Sequence, residues 1–357
     1  MQIALDFRDN TTENETYGNV SDEKTLSKVF HFDSYCVPIA TTLSAISIVG
    51  LVTNLVVIVT IASDRKLHQP TFVVICSLAV ADFMFLFTRY PRYIIQCFFT
   101  AKFSVELLRA IKMVLDFSGF LAGIASIVHI VFMSVVRYFI IVYPFRSYVL
   151  LTNLRVILMT IVIWTLSAGI AVLYTFAVLI NASKDPRLRE TTNLVLTILF
   201  SILPVLFITI LHVLKAKVLT KSISNCSQAV RNMSRVVTIV LTSFIITTTP
   251  SSTIDIMIIL GYNYTKTQLF SITSQVAKIL LFLNFTVNPF VYFVNSIQFR
   301  KCINTCFGRN RHSRGGSTSR GVSTSTSHIH ASNYERSLSN ISGSRSQQVH
   351  VAESTRL

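Results

Sequence analysis

The chain has 357 residues, 51% of them hydrophobic and 13% charged, with a mean hydropathy of +0.57, which is too apolar for a soluble globular domain of ordinary composition. Its formal net charge of +16 does not call for nucleic acid as a partner, because the basic residues gather beside apolar blocks, where a membrane protein carries its cytoplasmic charge. Six cysteines with no C-x-x-C pair exclude a disulfide scaffold and a zinc site.

Residues 1–37 are polar and acidic, with Asp6, Asp9, Glu13, Glu15, Asp22, Glu23 and Asp33, and hold N-glycosylation triplets at Asn10, Asn14 and Asn19. Such acceptors are useful only in the secretory lumen, so this segment is expected outside the cell. No basic-then-apolar stretch ending in small residues occurs in it, so no cleavable signal peptide is expected and the first span serves as anchor. Seven apolar stretches follow, approximately 38–62, 71–96, 106–141, 154–180, 192–217, 233–260 and 268–295. At about 1.5 Å rise per residue each can cross a hydrocarbon core of about 30 Å. An odd number of spans puts the termini on opposite faces. The positive-inside rule agrees: Arg65, Lys66, Arg146, Arg155, Lys215, Lys217, Lys221, Arg231, Arg235, Arg300 and Lys301 all fall on the side opposite the N-terminus. The expected fold is an all-α membrane protein, a seven-transmembrane-helix bundle over 38–296, placed as a multi-pass protein of the plasma membrane. Another glycosylation acceptor, Asn181, falls in the second outer loop.

Inside the second span sits Asp82. An ionisable group there costs roughly 2.5–3.5 kcal/mol on insertion scales, so it is either satisfied by neighbouring hydroxyls and amides or holds a small cation or proton. Ser126 in the third span and Asn284 and Asn288 in the seventh offer oxygens suited to a hard cation such as sodium. Apart from that possible ion no cofactor is expected. Pro91, Pro204, Pro250 and Pro289 lie within four different spans. Proline removes a helical donor and clashes with the preceding turn, which favours a bundle built of kinks and hinges.

After the last span, 297–307 reads as an amphipathic membrane-surface helix, with Phe299, Ile303 and Phe307 at i, i+4 spacing. Cys302 and Cys306 are read as palmitoylation sites on its membrane side, or as free buried thiols. Residues 308–357, rich in Ser, Thr, Gly, Asn and Arg, are expected to be a disordered cytoplasmic tail. Hydroxyl clusters at Ser317 to Ser319 and Ser323 to Ser327 suit arrestin-type proteins after phosphorylation, and Thr355-Arg356-Leu357 suits a PDZ groove. Near the outer face Cys36 and Cys97 either bridge or remain two thiols; bridging needs Cα atoms within about 7 Å.

One signature per span, in order, now carries a resemblance. The first has Gly50-Leu51-Val52-Thr53-Asn54 and the second Leu78-Ala79-Val80-Ala81-Asp82. The third ends Val136-Arg137-Tyr138 with Pro144 beyond it, and the fourth holds the sole tryptophan, Trp164. Pro204 marks the fifth, Phe244 and Pro250 the sixth, and Asn288-Pro289-Phe290-Val291-Tyr292 the seventh. In these the chain resembles the rhodopsin-like (class A) G-protein-coupled receptors. The resemblance implies an extracellular ligand, a heterotrimeric G protein engaged by Arg137 with Tyr138 and Tyr292 when the sixth span swings about Pro250, and an allosteric sodium pocket at Asp82, Ser126, Asn284 and Asn288. It implies no enzyme, and no paired catalytic aspartates, nucleophile motif or metal-ligand cluster is visible. A seven-span transporter or channel is the competing class, although no internal repeat is seen.

The departures from that pattern are informative. Val136 replaces the acid usually beside the arginine, so a weakened inactive state with basal signalling is expected. Lys112 replaces the usual cysteine of the third span, Thr247-Thr248 a Cys-Trp pair, and His212 a tyrosine of the fifth span. Gly119 stands where monoamine receptors carry an aspartate and Phe282 where opsins carry the retinal lysine, which argues against amines and light. Arg89, Arg92, Asp116, Asp255 and Lys278 ring the outer mouth. Such mixed charge suits a ligand with both signs, a short peptide, as in an invertebrate-type neuropeptide receptor; a chemosensory or lipid-type ligand is the alternative. In the blander reading Asp116 or Asp255 pairs with Lys278 and only holds the helices together.

Overall fold

The structure, a computed structural model, describes residues 23–98, 104–180, 186–221, 228–260, 267–295 and 299–303. Among them seven helical stretches are long and apolar enough to cross a membrane: Cys36–Ser63, Pro70–Ile95, Glu106–Val142, Asn153–Ala177, Thr191–Val218, Thr238–Ile258 and Gln268–Val294. No strand occurs among the described residues. Helices are the answer a bilayer imposes on apolar sequence, because no water is available there for unpaired backbone groups. The fourth and fifth spans leave large side chains such as Leu158, Ile161, Leu206 and Phe207 exposed, as a lipid-facing surface requires. The second and third are the most enclosed and form the centre of the bundle.

The ends of the helices depart from the sequence expectation. The first helix runs Glu23–Ser63, starting well before position 38, since no Gly or Pro interrupts 23–37. The fifth is preceded by Pro186–Thr197, so much of the segment read as an outer loop is helical. Helices Leu203–Lys221 and Gln228–Ile259 likewise extend into the connection expected over Val218 to Asn232. After the third span, Pro144–Leu150 forms a short helix with Pro144 in its first turn, where the missing N–H costs nothing.

Two of the proline breaks are handled locally. Pro204 does not sit in a helix interior: five π-helical residues, Ile198–Ile202, precede Leu203–Lys221, and the Leu203 N–H donates to the Ile198 carbonyl. In the seventh span Pro289 cannot donate to the carbonyl of Phe285, four residues before it. That carbonyl instead accepts from Asn54 Nδ2 at 3.0 Å, while the same amide donates to the Gly50 carbonyl at 2.9 Å. The first span thus supplies the donor that Pro289 lacks. Gly50 permits the approach, since a Cβ there would lie 2.5 Å from Leu86 Cδ1 and from Thr286 Oγ1. Pro91 and Pro250 lie inside their helices.

Cys36 and Cys97 form a disulfide with Cα atoms 5.9 Å apart, joining the start of the first span to the end of the second. We call this pole the disulfide end and the opposite one the Arg137 end. Toward the Arg137 end a cluster containing Val57, Leu78, Met133, Phe244 and Tyr292 fills the bundle. Toward the disulfide end Leu43, Phe85, Leu86, Phe282 and Phe285 pack together, with the Phe85 and Phe285 rings stacked at 3.6 Å.

Candidate functional site

Asp82 is fully buried where the second, third and seventh spans meet. Ser126 Oγ donates to Asp82 Oδ1 at 2.6 Å, and Asn288 Nδ2 donates to Asp82 Oδ2 at 2.8 Å. Asn284, expected in the same group, turns elsewhere: its Oδ1 accepts from Thr247 Oγ1 at 3.1 Å, joining the sixth and seventh spans. Four residues separate Asn284 from Asn288, about one helical turn, and here the two amides serve different spans. A sodium ion fits the donor set in part. Asp82 and Ser126 keep oxygen lone pairs after these bonds, whereas Asn288 presents N–H and the Asn284 oxygen is engaged. No cluster of three His, Cys, Asp or Glu occurs among the described residues, so soft-metal chemistry has no ligand set there.

At the Arg137 end, Arg137, Val136 and Tyr292 are all buried. Tyr292 and Lys215 lie within electrostatic reach of the guanidinium. Lys215 Nζ also contacts Thr238 Oγ1 at 3.5 Å, linking fifth and sixth spans. Sequence reading placed Lys215 among the basic residues of the inner segments; the structure buries it. The signal was available, since Ile208, His212 and Lys215 share one helix face at i, i+4, i+7 and Ile208 is fully buried. Tyr138 is half-buried, its ring edge-on to Tyr143 at 6.2 Å.

A second polar group was not read from sequence as a group; only Trp164, as the fourth span's signature, was singled out. Trp164 Nε1 donates to Ser77 Oγ at 2.9 Å, and Ser77 Oγ lies 2.8 Å from His129 Nε2. His129 Nδ1 lies 2.6 Å from the Ala125 carbonyl. Indole can only donate and a carbonyl can only accept, which sets the direction of the chain: the Ser77 proton goes to Nε2, and Nδ1 carries the ring proton. Every member of this chain is satisfied, and it joins the second, third and fourth spans.

Nearer the disulfide end a cavity of about 580 Å³ opens between the second, third, fifth, sixth and seventh spans. Its wall is chiefly Phe85, Phe120, Phe244, Leu281 and Phe285, and its one charged lining residue is Arg89. None of the expected ligand residues Arg92, Asp116, Asp255 and Lys278 lines it. Asp116 Oδ1 accepts from Arg89 Nη1 at 3.0 Å, and Arg92 Nε reaches both Asp116 oxygens at 3.2 Å. Lys278 Nζ stands 5.9 Å from the centre of the Tyr93 ring, and Asp255 is buried. Asp116 thus ties the third span to the second through two guanidinium groups, and the cavity lies deeper. Thr248 lines the cavity in the place of the tryptophan expected from the resemblance, and this smaller side chain lets the space reach Phe244 and Asn284.

Cys302, expected to face lipid, is buried in the same cluster as Phe299. In the helical stretch 299–303 the face carrying Phe299, Cys302 and Ile303 packs against the bundle, with the Phe299 ring 5.4 Å from Phe293, and the thiol follows it inward. Asn10, Asn14, Asn19, Asn181, Cys306, the tail hydroxyl clusters and Thr355-Arg356-Leu357 lie outside the described residues.

Comparison with known proteins agrees with this geometry. The family described as 7 transmembrane receptor (rhodopsin family) matches residues 53–292. The chain is 29% identical over 167 residues to the neuromedin U receptor homolog nmur-2 of Caenorhabditis elegans, covering 45% of this chain and 40% of that one. It is 24% identical over 293 residues to neuromedin-U receptor 2 of Mus musculus, covering 74% and 73%. To melanopsin of Homo sapiens it is 24% identical over 336 residues, covering 83% and 68%. The stretch shared with the nematode receptor is thus well under two thirds of that protein.

Proposed function

We propose, since this chain belongs to the rhodopsin family of seven-transmembrane receptors, that it binds an extracellular peptide and activates heterotrimeric G proteins through Arg137. It resides in the plasma membrane with the disulfide end outside and the Arg137 end in the cytoplasm. The observation that carries the reading is the burial of Arg137 beside Tyr292 and Lys215, behind a sixth helix that contains Pro250. In this arrangement the guanidinium is withheld. Outward movement of the sixth span breaks the Lys215–Thr238 contact and exposes Arg137, with Tyr138 beside it, to a cytosolic partner. A ligand drives that change by binding the open arrangement better than the closed one. Sodium, held by Asp82 and Ser126, would favour the closed bundle by tying the second and third spans.

The peptide reading is supported by the names of the neuromedin U relatives. Melanopsin similarity supports the family but not light as the stimulus. Phe282 stands where opsins carry their retinal lysine and offers no amine for a Schiff base. A lipid-type ligand is the second reading, favoured by the apolar wall of the cavity. The tail belongs to the same proposal as the docking point for arrestin-type proteins and a PDZ partner, with Cys306 as the acylation site and Asn10, Asn14, Asn19 and Asn181 as glycan acceptors.

Ligand-free and peptide-stimulated nucleotide exchange on co-expressed Gα subunits tests the reading. Arg137→Ala should lower exchange roughly tenfold or more at equal surface expression, the loss of a charge-assisted contact. Full signalling by Arg137→Glu, or tags on the two termini found on one face of the cell, would overturn it. The wild type, with Val136 in place of an acid, should show measurable exchange without ligand, and Val136→Asp should reduce it.

A further inference from the structure

We propose that the cavity binds an apolar group ending in a carboxylate, with Arg89 as the residue that selects the anion. The inference rests on the reading of the chain as a ligand receptor, and names the chemistry of its site, but does not depend on G-protein coupling.

Arg89 is a buried guanidinium with five N–H donors, and among the described residues it makes one hydrogen bond, from Nη1 to Asp116. That bond does not neutralise it. Arg92 engages both oxygens of Asp116, and shares with Arg89 the oxygen that Arg89 uses. One carboxylate is thus shared between two guanidinium groups, and Arg89 keeps donors that Asp116 does not engage. A buried cation with unused donors is costly unless an anion completes it.

The third span is shaped to leave those donors available. A Cβ at Gly119 would lie 2.5 Å from Arg89 Nε and 2.9 Å from its Cδ. The head group therefore lies across bare backbone, and no side chain at 119 competes for its donors. Across the same cavity the Thr248 hydroxyl is buried and has no hydrogen-bond partner among the described residues. A guanidinium with unused donors and a hydroxyl without a partner thus face one space whose remaining wall is mostly aromatic and aliphatic. Phe85, Phe120, Phe244 and Leu281 suit an aryl or alkyl body. A planar carboxylate matches the free edge of a guanidinium through two parallel N–H···O bonds.

The same chemistry has two sources, the free C-terminus of a peptide with an apolar last residue, or a fatty or arylalkyl acid. Both can be tested on the full-length receptor in lipid nanodiscs, by thermal shift with matched probes. One pair is N-acetyl-Phe-Leu with a free or an amidated end; the other is decanoic acid and decanamide. At least one acid should bind about tenfold more tightly than its amide, the ratio expected for one charge-assisted hydrogen-bonded contact. The pair that shows the gap identifies the source. The gap should vanish in Arg89→Gln and persist, reduced, in Arg89→Lys. Should Arg89→Gln fail to fold, Gly119→Ala displaces the head group without changing its charge and should shrink the gap as well. Equal affinities for acid and amide, no binding by either acid at millimolar concentration, or a preference that survives these substitutions would overturn the inference. Acid selection without nucleotide exchange would count against the G-protein proposal alone, and peptide-driven exchange without acid selection against this one alone.

Discussion

Between the second, third and fourth spans, Trp164, Ser77 and His129 pass hydrogen bonds in one direction to the Ala125 carbonyl. On the fifth and sixth spans three hydroxyls behave differently. Thr197, Ser201 and Thr248 are buried, and their hydroxyls have no partner among the described residues. The segments Pro186–Thr197 and Ile198–Ile202 both pack on the sixth helix, so these groups belong to one side of the bundle. A buried hydroxyl without a partner costs about 1–3 kcal/mol. A bundle with two arrangements can satisfy such groups in the other one, or with ligand or water. We call the bonded cluster across spans two to four the rigid wall and the side at five and six, which holds Pro250 and the π-helical turn before Pro204, the adjustable wall, a distinction the following variants test.

Breaking the rigid wall should have the largest effect. His129→Ala removes a fully buried ring and leaves the Ser77 hydroxyl without its acceptor. Its cost should be roughly 3–5 kcal/mol, read as a lowered thermal midpoint of the purified receptor. A midpoint within a degree of wild type would remove the distinction between the two walls. The next effect lies at the contact between first and seventh spans. Asn54→Ala strands the Phe285 carbonyl and should cost about 1–3 kcal/mol. Pro289→Ala restores a backbone donor to that carbonyl, so in the Pro289→Ala background the Asn54→Ala loss should shrink. A double-mutant cycle with no coupling would show that Asn54 does not stand in for the missing N–H.

The rule that finds Asp82, a polar group in an apolar run, finds Ser126 and Asn288 as its partners, and the structure joins all three. His129 meets the same rule, yet its role depends on Ser77, 52 residues away, and on Trp164, both on other helices, and only packing brings them together. The mouth charges were visible too. Their pairing was not, because it depends on how closely the second and third spans approach at Gly119, a distance no periodicity encodes. The spans themselves were legible because about twenty apolar residues leave the backbone no alternative to helix in lipid. Helix ends were not, since outside the bilayer that compulsion lapses and local bonding carries Glu23–Ser63 and Gln228–Ile259 beyond the apolar windows. Cys302 shows the same limit on a small scale: Phe299 and Ile303 define an apolar face, and that face is as able to meet the bundle as the lipid.

The smallest effect is the one of opposite sign. Thr248→Val keeps the shape of the side chain and removes a hydroxyl that has no partner in the described structure. On the rigid wall loss of a polar group costs stability; here it should leave the thermal midpoint unchanged or raise the stability by up to about 1 kcal/mol, because a desolvation penalty disappears. If the hydroxyl is instead satisfied when the sixth span moves, the same substitution penalises only the open arrangement. Ligand-free nucleotide exchange should then fall while the resting receptor becomes no less stable. Thr197→Val probes the fifth span in the same way. A loss of stability in both variants, comparable to that of His129→Ala, would mean that these hydroxyls are bonded in the resting receptor and that the two walls are built alike.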